Sequence, residues 1–293
     1  HIVMTCGAAG GLNVVLKTIL NKGDEVIVPS PFFVEYRFYV ENHGGVLVQA
    51  GTNDDFSLNI GNIERAITPK TRAILINSPH NPTGTVYSES QIKELAQLLE
   101  KQTGRIIYMV ADEPYREIVF DGVIVPGILK HYRQSIAVTS FSKTLSLPGE
   151  RIGYIAVNPS CAEVEKLMGG LILSNRILGF VNAPALMQRA VALLTEAAVD
   201  VDAYRRRRDL LVNGLYEAGY SFPKPSGAFY VFCKSPTSDD VAFVRHLLRF
   251  NILAVPGVGF AGPGNFRLAY CVSEEVIRGS LTKFREALQT FKA

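Results

Sequence analysis

The chain has 293 residues, more than a single hydrophobic core comfortably organises, so we expect one large domain and a smaller one. Its 47% hydrophobic and 19% charged residues are typical of a globular protein and exclude a disordered or fibrous one. The formal net charge of +3 is small for this length and gives no reason to predict a nucleic-acid partner.

The first two thirds of the chain alternate apolar runs with helical patterns. The first run, residues 2–6, leads into a glycine-rich turn and a helix that we expect to end at Gly23. An amphipathic helix is predicted over residues 88–102. Further strands are predicted within residues 25–29, 37–50, 71–79, 105–114, 135–142 and 151–158, and residues 37–50 are expected to hold a helix before their strand. Seven such runs predict an α/β fold with a mainly parallel sheet sandwiched by helices.

The pattern changes after Ala183. One long helical stretch is predicted over residues 185–218, ended by Gly219. The remainder alternates strands within residues 228–234, 252–257 and 265–271 with helices at residues 239–250 and 274–291. We therefore predict a large domain over residues 1–200 and a smaller α+β domain over residues 201–293.

The cysteines and the apolar runs indicate the kind of protein. Four cysteines lie far apart with no CxxC pair, which argues against a disulfide framework and against a zinc site. No apolar run reaches the roughly 18 residues that span a bilayer, and no secretory leader precedes the first strand, so we expect a cytoplasmic protein without a membrane partner. The chain opens directly on an apolar strand without Met, and we expect an N-terminal segment to be missing.

The most informative segment is SFSKTLSLPGERIG, residues 140–153. It carries Ser140, Lys143 and Arg151, and it follows an ADEPY segment with Asp112 and Tyr115. A partly neutral lysine can form an imine with an aldehyde cofactor, and an arginine with a serine hydroxyl can hold a dianionic phosphate. Because pyridoxal phosphate carries both groups on one small ring, the segment predicts a site for that cofactor.

Five ordered segments extend the pattern over essentially the whole chain. They are CGAAGG, SPFFVEY, NSPHNPTG, ADEPY with SFSK, and GNFRLAY. In these segments the chain resembles class I/II aminotransferases, which are fold type I pyridoxal phosphate enzymes of the aspartate aminotransferase superfamily. The resemblance implies transfer of an amino group from an L-amino acid to a 2-oxo acid through a lysine Schiff base. It also implies a homodimer with shared active sites.

A phosphate site is expected where the first helix begins. Unpaired NH groups at a helix N-terminus favour an anion, although a tight connection would also explain the glycine there. The resemblance implies that Gly7, Ala8 and Ala9 donate to the cofactor phosphate. Ser140 and Arg151 would complete the site, Arg151 through a forked pair of charged hydrogen bonds.

The resemblance also implies contacts to the cofactor ring. Phe33 would stack on it, and Asn81 and Tyr115 would donate to its phenolic oxygen and so lower the imine pKa. Asp112, which by itself could be a helix cap or a partner for a buried cation, would keep the ring nitrogen protonated. Glu113 is discounted because adjacent strand residues point to opposite faces.

The reacting groups are expected on two segments. Lys143 would form the resting imine and then carry the proton that leaves the substrate α carbon. Arg267, an arginine flanked by apolar residues, would bind the substrate α-carboxylate together with Asn81. The arginine run at residues 205–208 is interpreted as solvated or as structural pairing.

Two other functions remain open from the sequence. A carbon-sulfur β-lyase would use the same anchors, because they serve either outcome of the carbanion. The ligand-sensing domain of a transcription regulator would reuse this fold without turnover, and it would require a basic helix-turn-helix domain elsewhere in its chain. Nothing in the sequence identifies the amino acid donor or the 2-oxo acid acceptor.

Overall fold

The computed structural model describes residues 1–291, and its larger sheet has seven strands. These are β1 (Ile2–Thr5), β2 (Glu25–Ser30), β3 (Val46–Gly51), β4 (Thr71–Asn77), β5 (Tyr108–Asp112), β6 (Ser135–Ser140) and β7 (Gly153–Val157). Their order across the sheet is β1-β7-β6-β5-β4-β2-β3. Strands β2 to β6 run parallel, and only β7 is antiparallel to its neighbours β1 and β6. The predicted mainly parallel α/β fold is confirmed.

Helices cover both faces of this sheet. They are α1 (Gly7–Ile19), α2 (Glu35–Asn42), α3 (Ile60–Ala66), α4 (Glu89–Glu100), α5 (Phe141–Thr144), α6 (Val164–Ile177) and α7 (Ala185–Ala192). Alternate residues of β2 belong to different hydrophobic cores: Val26 and Val28 pack with α1 and α6, and Ile27 packs with α4. Near-continuous apolar strands are the consequence of burial on both faces.

The first helix differs from its predicted bounds at both ends. It begins at Gly7, directly after β1, so residues 7–11 are helix and not a glycine-rich turn. It ends at Ile19 because Leu20 is extended, with φ −94° and ψ 138°. Gly23, which was expected to cap the helix, adopts a φ of +85° in the turn that leads into β2.

The C-terminal part forms a second sheet of three antiparallel strands. These are β8 (Tyr230–Lys234), β9 (Val255–Pro256) and β10 (Asn265–Ala269), in the order β8-β10-β9. The helices of this part are α8 (Val201–Ala218), α9 (Asp240–Leu248) and α10 (Glu274–Thr290). The predicted long helix is instead two helices, α7 and α8, and Gly219 ends α8 with a φ of +99°. A domain boundary at residue 200 stays a prediction. No helix within residues 1–291 has the length and apolar character to span a bilayer.

The arginine run on α8 contains one buried member. The side chain of Arg208 is fully buried, and its Nη1 and Nη2 donate to the two carboxylate oxygens of Asp121 at 2.8 and 3.0 Å. Its guanidinium also lies 4.6 Å from the ring centroid of Phe120. Arg205, by contrast, pairs with Asp202 at the surface. Structural pairing therefore accounts for Arg208, which ties α8 to the loop after β5.

Replacing Arg208 with alanine should lower the free energy of unfolding by about 3 kcal/mol, because it removes a buried packing surface and the bidentate partner of Asp121. The Arg205→Ala variant removes a surface pair and should cost less than about 0.5 kcal/mol. Urea unfolding of both variants measures the difference. Equal midpoints would contradict a structural role for Arg208.

Candidate active site

A cavity of about 320 Å³ opens at the carboxyl ends of three adjacent parallel strands. Asn77, Asp112 and Ser140 are the last residues of β4, β5 and β6, and this edge is where open α/β sheets bind ligands. Of the residues expected in the site, Gly7 alone is absent from the cavity lining. Those that line it are Ala8, Ala9, Phe33, Asn81, Asp112, Tyr115, Ser140, Lys143, Arg151 and Arg267.

Donor groups gather where α1 begins. Gly7 has a φ of +73°, and a Cβ at that position would lie 3.1 Å from Nη2 of Arg151. The guanidinium therefore packs against the N-terminus of α1, where the helix dipole is positive and no acidic residue occurs in the first turn. The hydroxyl of Ser140 accepts from the amide of Ser142 at 3.0 Å and donates to the Ser142 hydroxyl at 2.6 Å. This combination can bind an anion such as phosphate.

Asp112 is a buried carboxylic acid with one unpartnered oxygen. The hydroxyl of Tyr36 donates to its Oδ2 at 2.5 Å, whereas Oδ1 has no hydrogen-bond partner within residues 1–291. Burial raises the pKa of Asp112 to about 7; the Tyr36 hydrogen bond opposes this shift, and the nearby Glu113 adds to it. Because Oδ1 is buried without a partner, it favours a ligand that brings a hydrogen-bond donor or a positive charge.

Glu113 lies outside the cavity lining. Its Oε2 accepts a hydrogen bond from Nη1 of Arg116 at 2.8 Å. The two neighbouring carboxylates therefore face different partners, and only Asp112 faces the cavity.

Lys143 lies on α5 and brings its amine into the cavity. Burial lowers its pKa, the nearby Cys271 opposes that shift, and Arg151 adds to it. Within the described chain, no carboxylate lies within 4.0 Å of its Nζ. An amine with a lowered pKa is neutral in a larger fraction of molecules, so it can act as a nucleophile or a base.

Arg267 lies on β10, far along the chain from the other residues of the site, yet its side chain lines the same cavity. Its Nη1 donates to Oδ1 of Asn81 at 2.9 Å. Its guanidinium carbon lies 4.6 Å from the ring centroids of both Tyr230 and Phe260. Its buried Nε has no hydrogen-bond partner among residues 1–291. This cation is therefore held by rings and an amide, and it remains available to an anion.

Four cavity residues that carry a hydroxyl were missed in the sequence, namely Tyr36, Tyr39, Ser142 and Tyr230. Tyr36 ends the SPFFVEY segment and Ser142 lies within SFSK, so both were close to predicted residues. Tyr230 begins β8, where its apolar neighbours gave only a strand signal. Its hydroxyl lies 2.9 Å from the hydroxyl of Tyr115. Asn77, interpreted as structural, also lines the cavity, and its Nδ2 donates to the Asp112 carbonyl at 2.7 Å.

Comparison with known proteins gives the family. The family model "Aminotransferase class I and II" matches residues 1–284. An aspartate/prephenate aminotransferase of Thermus thermophilus is 37% identical over 297 residues, covering 98% of this chain and 75% of that protein. The crystal structure of an aminotransferase from Eubacterium rectale superposes with a TM-score of 0.97 at 40% identity, over 100% of this chain and 75% of that one. An aspartate aminotransferase from T. thermophilus with maleate gives a TM-score of 0.85 at 32% identity, over 98% and 75%.

These likenesses define an α/β transferase with the fold type I architecture of the aspartate aminotransferases. The chain belongs to the class I and II aminotransferases. It spans about three quarters of the length of these relatives.

Proposed function

We propose that the protein is a pyridoxal phosphate-dependent aminotransferase that moves the amino group of an L-amino acid to a 2-oxo acid, with Lys143 as the covalent attachment point of the cofactor. One observation carries this proposal. Lys143 with its lowered pKa, the buried carboxyl of Asp112 and the guanidinium of Arg267 share one cavity of about 320 Å³. Among residues 1–291, Oδ1 of Asp112 and Nε of Arg267 have no hydrogen-bond partner.

The residues present fit pyridoxal phosphate. The unpartnered Oδ1 of Asp112 suits the protonated nitrogen of the pyridine ring. The first turn of α1, Arg151 and Ser140 suit the phosphate, since they combine helix NH groups, a guanidinium and a hydroxyl. Phe33 lines the cavity with an aromatic ring that can pack against a flat ligand.

Each side chain then has a proposed task. When bound, the cofactor supplies an electron sink that stabilises negative charge at the substrate α carbon. Asp112 holds the proton on the pyridine nitrogen, and Asn81 and Tyr115 donate hydrogen bonds to the phenolic oxygen. Once the substrate amine has displaced it, the freed Nζ of Lys143 would take the proton from the substrate α carbon and pass it to the methine carbon of the cofactor. Arg267 holds the substrate α-carboxylate in a bidentate pair.

The names of the relatives suggest which donors to test first. These relatives include aspartate/prephenate and aspartate aminotransferases, and one solved structure of an aspartate aminotransferase is with maleate. We therefore expect L-aspartate to be an amino donor for this chain. The homodimer with shared sites, which the resemblance implies, and the cytoplasmic location, which the apolar runs predict, stay predictions.

The test is the visible absorbance spectrum of the purified chain with pyridoxal phosphate, before and after L-aspartate, L-phenylalanine or L-alanine. We expect a visible band that one of these amino acids converts to the pyridoxamine form, with release of the matching 2-oxo acid. A band that persists with every amino acid would contradict transamination. Release of a 2-oxo acid with no pyridoxamine form would instead support a lyase.

Replacing Gly7 with alanine should weaken pyridoxal phosphate binding about tenfold, because the new Cβ strains a positive φ and displaces the Arg151 guanidinium. Gly23→Ala is the matched control, since Gly23 has a φ of +85° and nothing within 4 Å of its Cβ position. Cofactor titration of both variants measures the dissociation constants. Equal weakening by the two substitutions would show that backbone strain, and not the phosphate site, is responsible.

A further inference from the structure

Tyr230 contacts both sides of the cavity. It is the first residue of β8 and lines the cavity, and its hydroxyl lies 2.9 Å from the Tyr115 hydroxyl. The same ring lies 4.6 Å from the guanidinium carbon of Arg267. Tyr115 lies in the turn that follows β5 of the larger sheet, whereas Arg267 lies on β10 of the smaller sheet, so Tyr230 is a direct physical link between them.

Either hydroxyl of the pair can donate, and the position of Arg267 favours Tyr230 as the donor. Burial raises the pKa of both phenols; the Tyr230 phenol adds to the shift of Tyr115, whereas the Tyr115 hydroxyl and the Arg267 guanidinium oppose the shift of Tyr230. The Arg267 guanidinium stacked on the Tyr230 ring favours negative charge on that phenol and makes it the better hydrogen-bond donor. When Tyr230 donates to the Tyr115 oxygen, the Tyr115 hydrogen is free to point into the cavity. A phenol that accepts one hydrogen bond becomes a stronger donor in the next.

The ring of Tyr230 has a separate task. The guanidinium carbon of Arg267 lies 4.6 Å from the centroids of both the Tyr230 and the Phe260 ring, and its Nη1 donates to Asn81. No carboxylate within residues 1–291 forms a salt bridge with it. Two ring contacts and the Asn81 hydrogen bond therefore hold the guanidinium in place, while its Nε has no hydrogen-bond partner among residues 1–291.

We propose that Tyr230 is a positioning residue that acts on the cofactor side through its hydroxyl and Tyr115, and on the substrate side through its ring and Arg267. This inference rests on the proposed function. It assigns the hydroxyl and the ring of one side chain to two different measurable quantities, so substitutions can separate the two roles.

The hydroxyl is tested by the pH titration of the visible band of the bound cofactor. In Tyr230→Phe we expect the midpoint to rise by about 0.2–0.5 pH units, because a weaker Tyr115 donor stabilises the anionic phenolic oxygen less. Tyr115→Phe should raise it further, by about 1 unit. The double variant should equal Tyr115→Phe, since Tyr230 acts through Tyr115. An unchanged or lowered midpoint in Tyr230→Phe, or additive shifts in the double variant, would overturn the proposal.

The ring is tested by the KM of the amino acid that reacts fastest in the panel above. Tyr230→Leu removes the stacking face and should raise KM about 3- to 10-fold, whereas Tyr230→Phe keeps the face and should leave it within about twofold. Equal KM values in the two variants would overturn the role of the ring. The control is Tyr87→Phe, which removes a buried hydroxyl that has no hydrogen-bond partner in the described chain and lies outside the cavity.

Failure of the inference and failure of the proposed function give different results. If the unsubstituted chain gives no visible band with pyridoxal phosphate, the proposed function fails and the inference fails with it. If the band forms and Tyr230→Phe leaves its titration unchanged, the inference alone fails. Tyr230→Phe retains the ring and its packing, so this comparison holds even if Tyr230→Leu does not fold.

Discussion

Replacing Lys143 with alanine should lower the turnover of the amino-transfer reaction by at least about 10⁴-fold, because it removes both the attachment amine and the base for the α proton. The burial that lowers the pKa of this lysine favours a neutral amine, and no other lysine among residues 1–291 lines the cavity. Steady-state kinetics with L-aspartate or the best donor of the panel measures the loss. Pyridoxal phosphate should still bind through its phosphate and ring contacts, so cofactor binding should weaken far less than turnover falls.

Two further lysine variants make this result specific. Lys143→Arg keeps a positive charge but cannot lose its proton, so it should be as inactive as Lys143→Ala. Lys166→Ala removes a side chain that is 81% exposed and paired with Glu163, and it should leave turnover unchanged. Substantial turnover in Lys143→Arg would contradict the role of Lys143 as nucleophile and base.

Replacing Asp112 with asparagine should lower turnover on the order of 10³-fold, comparable to the loss of other preorganised charge partners in active sites. A neutral amide cannot hold the proton on the ring nitrogen, so the electron sink weakens while the shape of the cavity is kept. The matched control is Glu113→Gln, the adjacent buried carboxyl, which pairs with Arg116 outside the cavity. It should reduce stability more than turnover. Equal losses of turnover in both variants would contradict the specific role of Asp112.

Asp112 should also give the cofactor-free protein a measurable pH dependence of stability. Its folded-state pKa of about 7 lies above the usual value of 3.8, so the folded state binds the proton more tightly than the unfolded state. Stability then falls as pH rises from about 4 to about 7, by at most about 4 kcal/mol for this group. Unfolding of the cofactor-free chain and of Asp112→Asn at several pH values isolates the contribution. A difference between them that is constant with pH would contradict the raised pKa.

The strands and the site segments could be predicted because each leaves a local signal. Near-continuous apolar runs predicted the parallel strands, and short polar segments at the ends of those runs predicted residues that the parallel topology then brings to one edge. Helix α6 left no such signal, because Gly169 and Gly170 interrupt its pattern. A Cβ on Gly170 would lie 2.7 Å from Cγ2 of Thr18 on α1, so this glycine serves close helix packing that only the folded chain reveals.

Side-chain pairs across long sequence distances could not be predicted. Tyr36 and Asp112 are 76 residues apart, and Tyr115 and Tyr230 are 115 residues apart. Tyr36 and Tyr230 each give only an aromatic helix or strand signal in their own segments. The pairing depends on which strand ends become neighbours, and this is a property of the assembled sheets. These unpredicted tyrosines nevertheless act on predicted site residues, because Tyr36 donates a hydrogen bond to Asp112 and Tyr230 pairs with Tyr115.

The most direct test of the pyridoxal phosphate site is peptide mapping of the full chain after incubation with the cofactor and borohydride reduction, which fixes any bond between a lysine amine and the aldehyde. We predict a single stoichiometric phosphopyridoxyl group on the peptide that contains Lys143, and its loss in Lys143→Ala. A modification spread over several exposed lysines, or one that persists in Lys143→Ala, would contradict the assignment of Lys143 and of the cavity as the cofactor site.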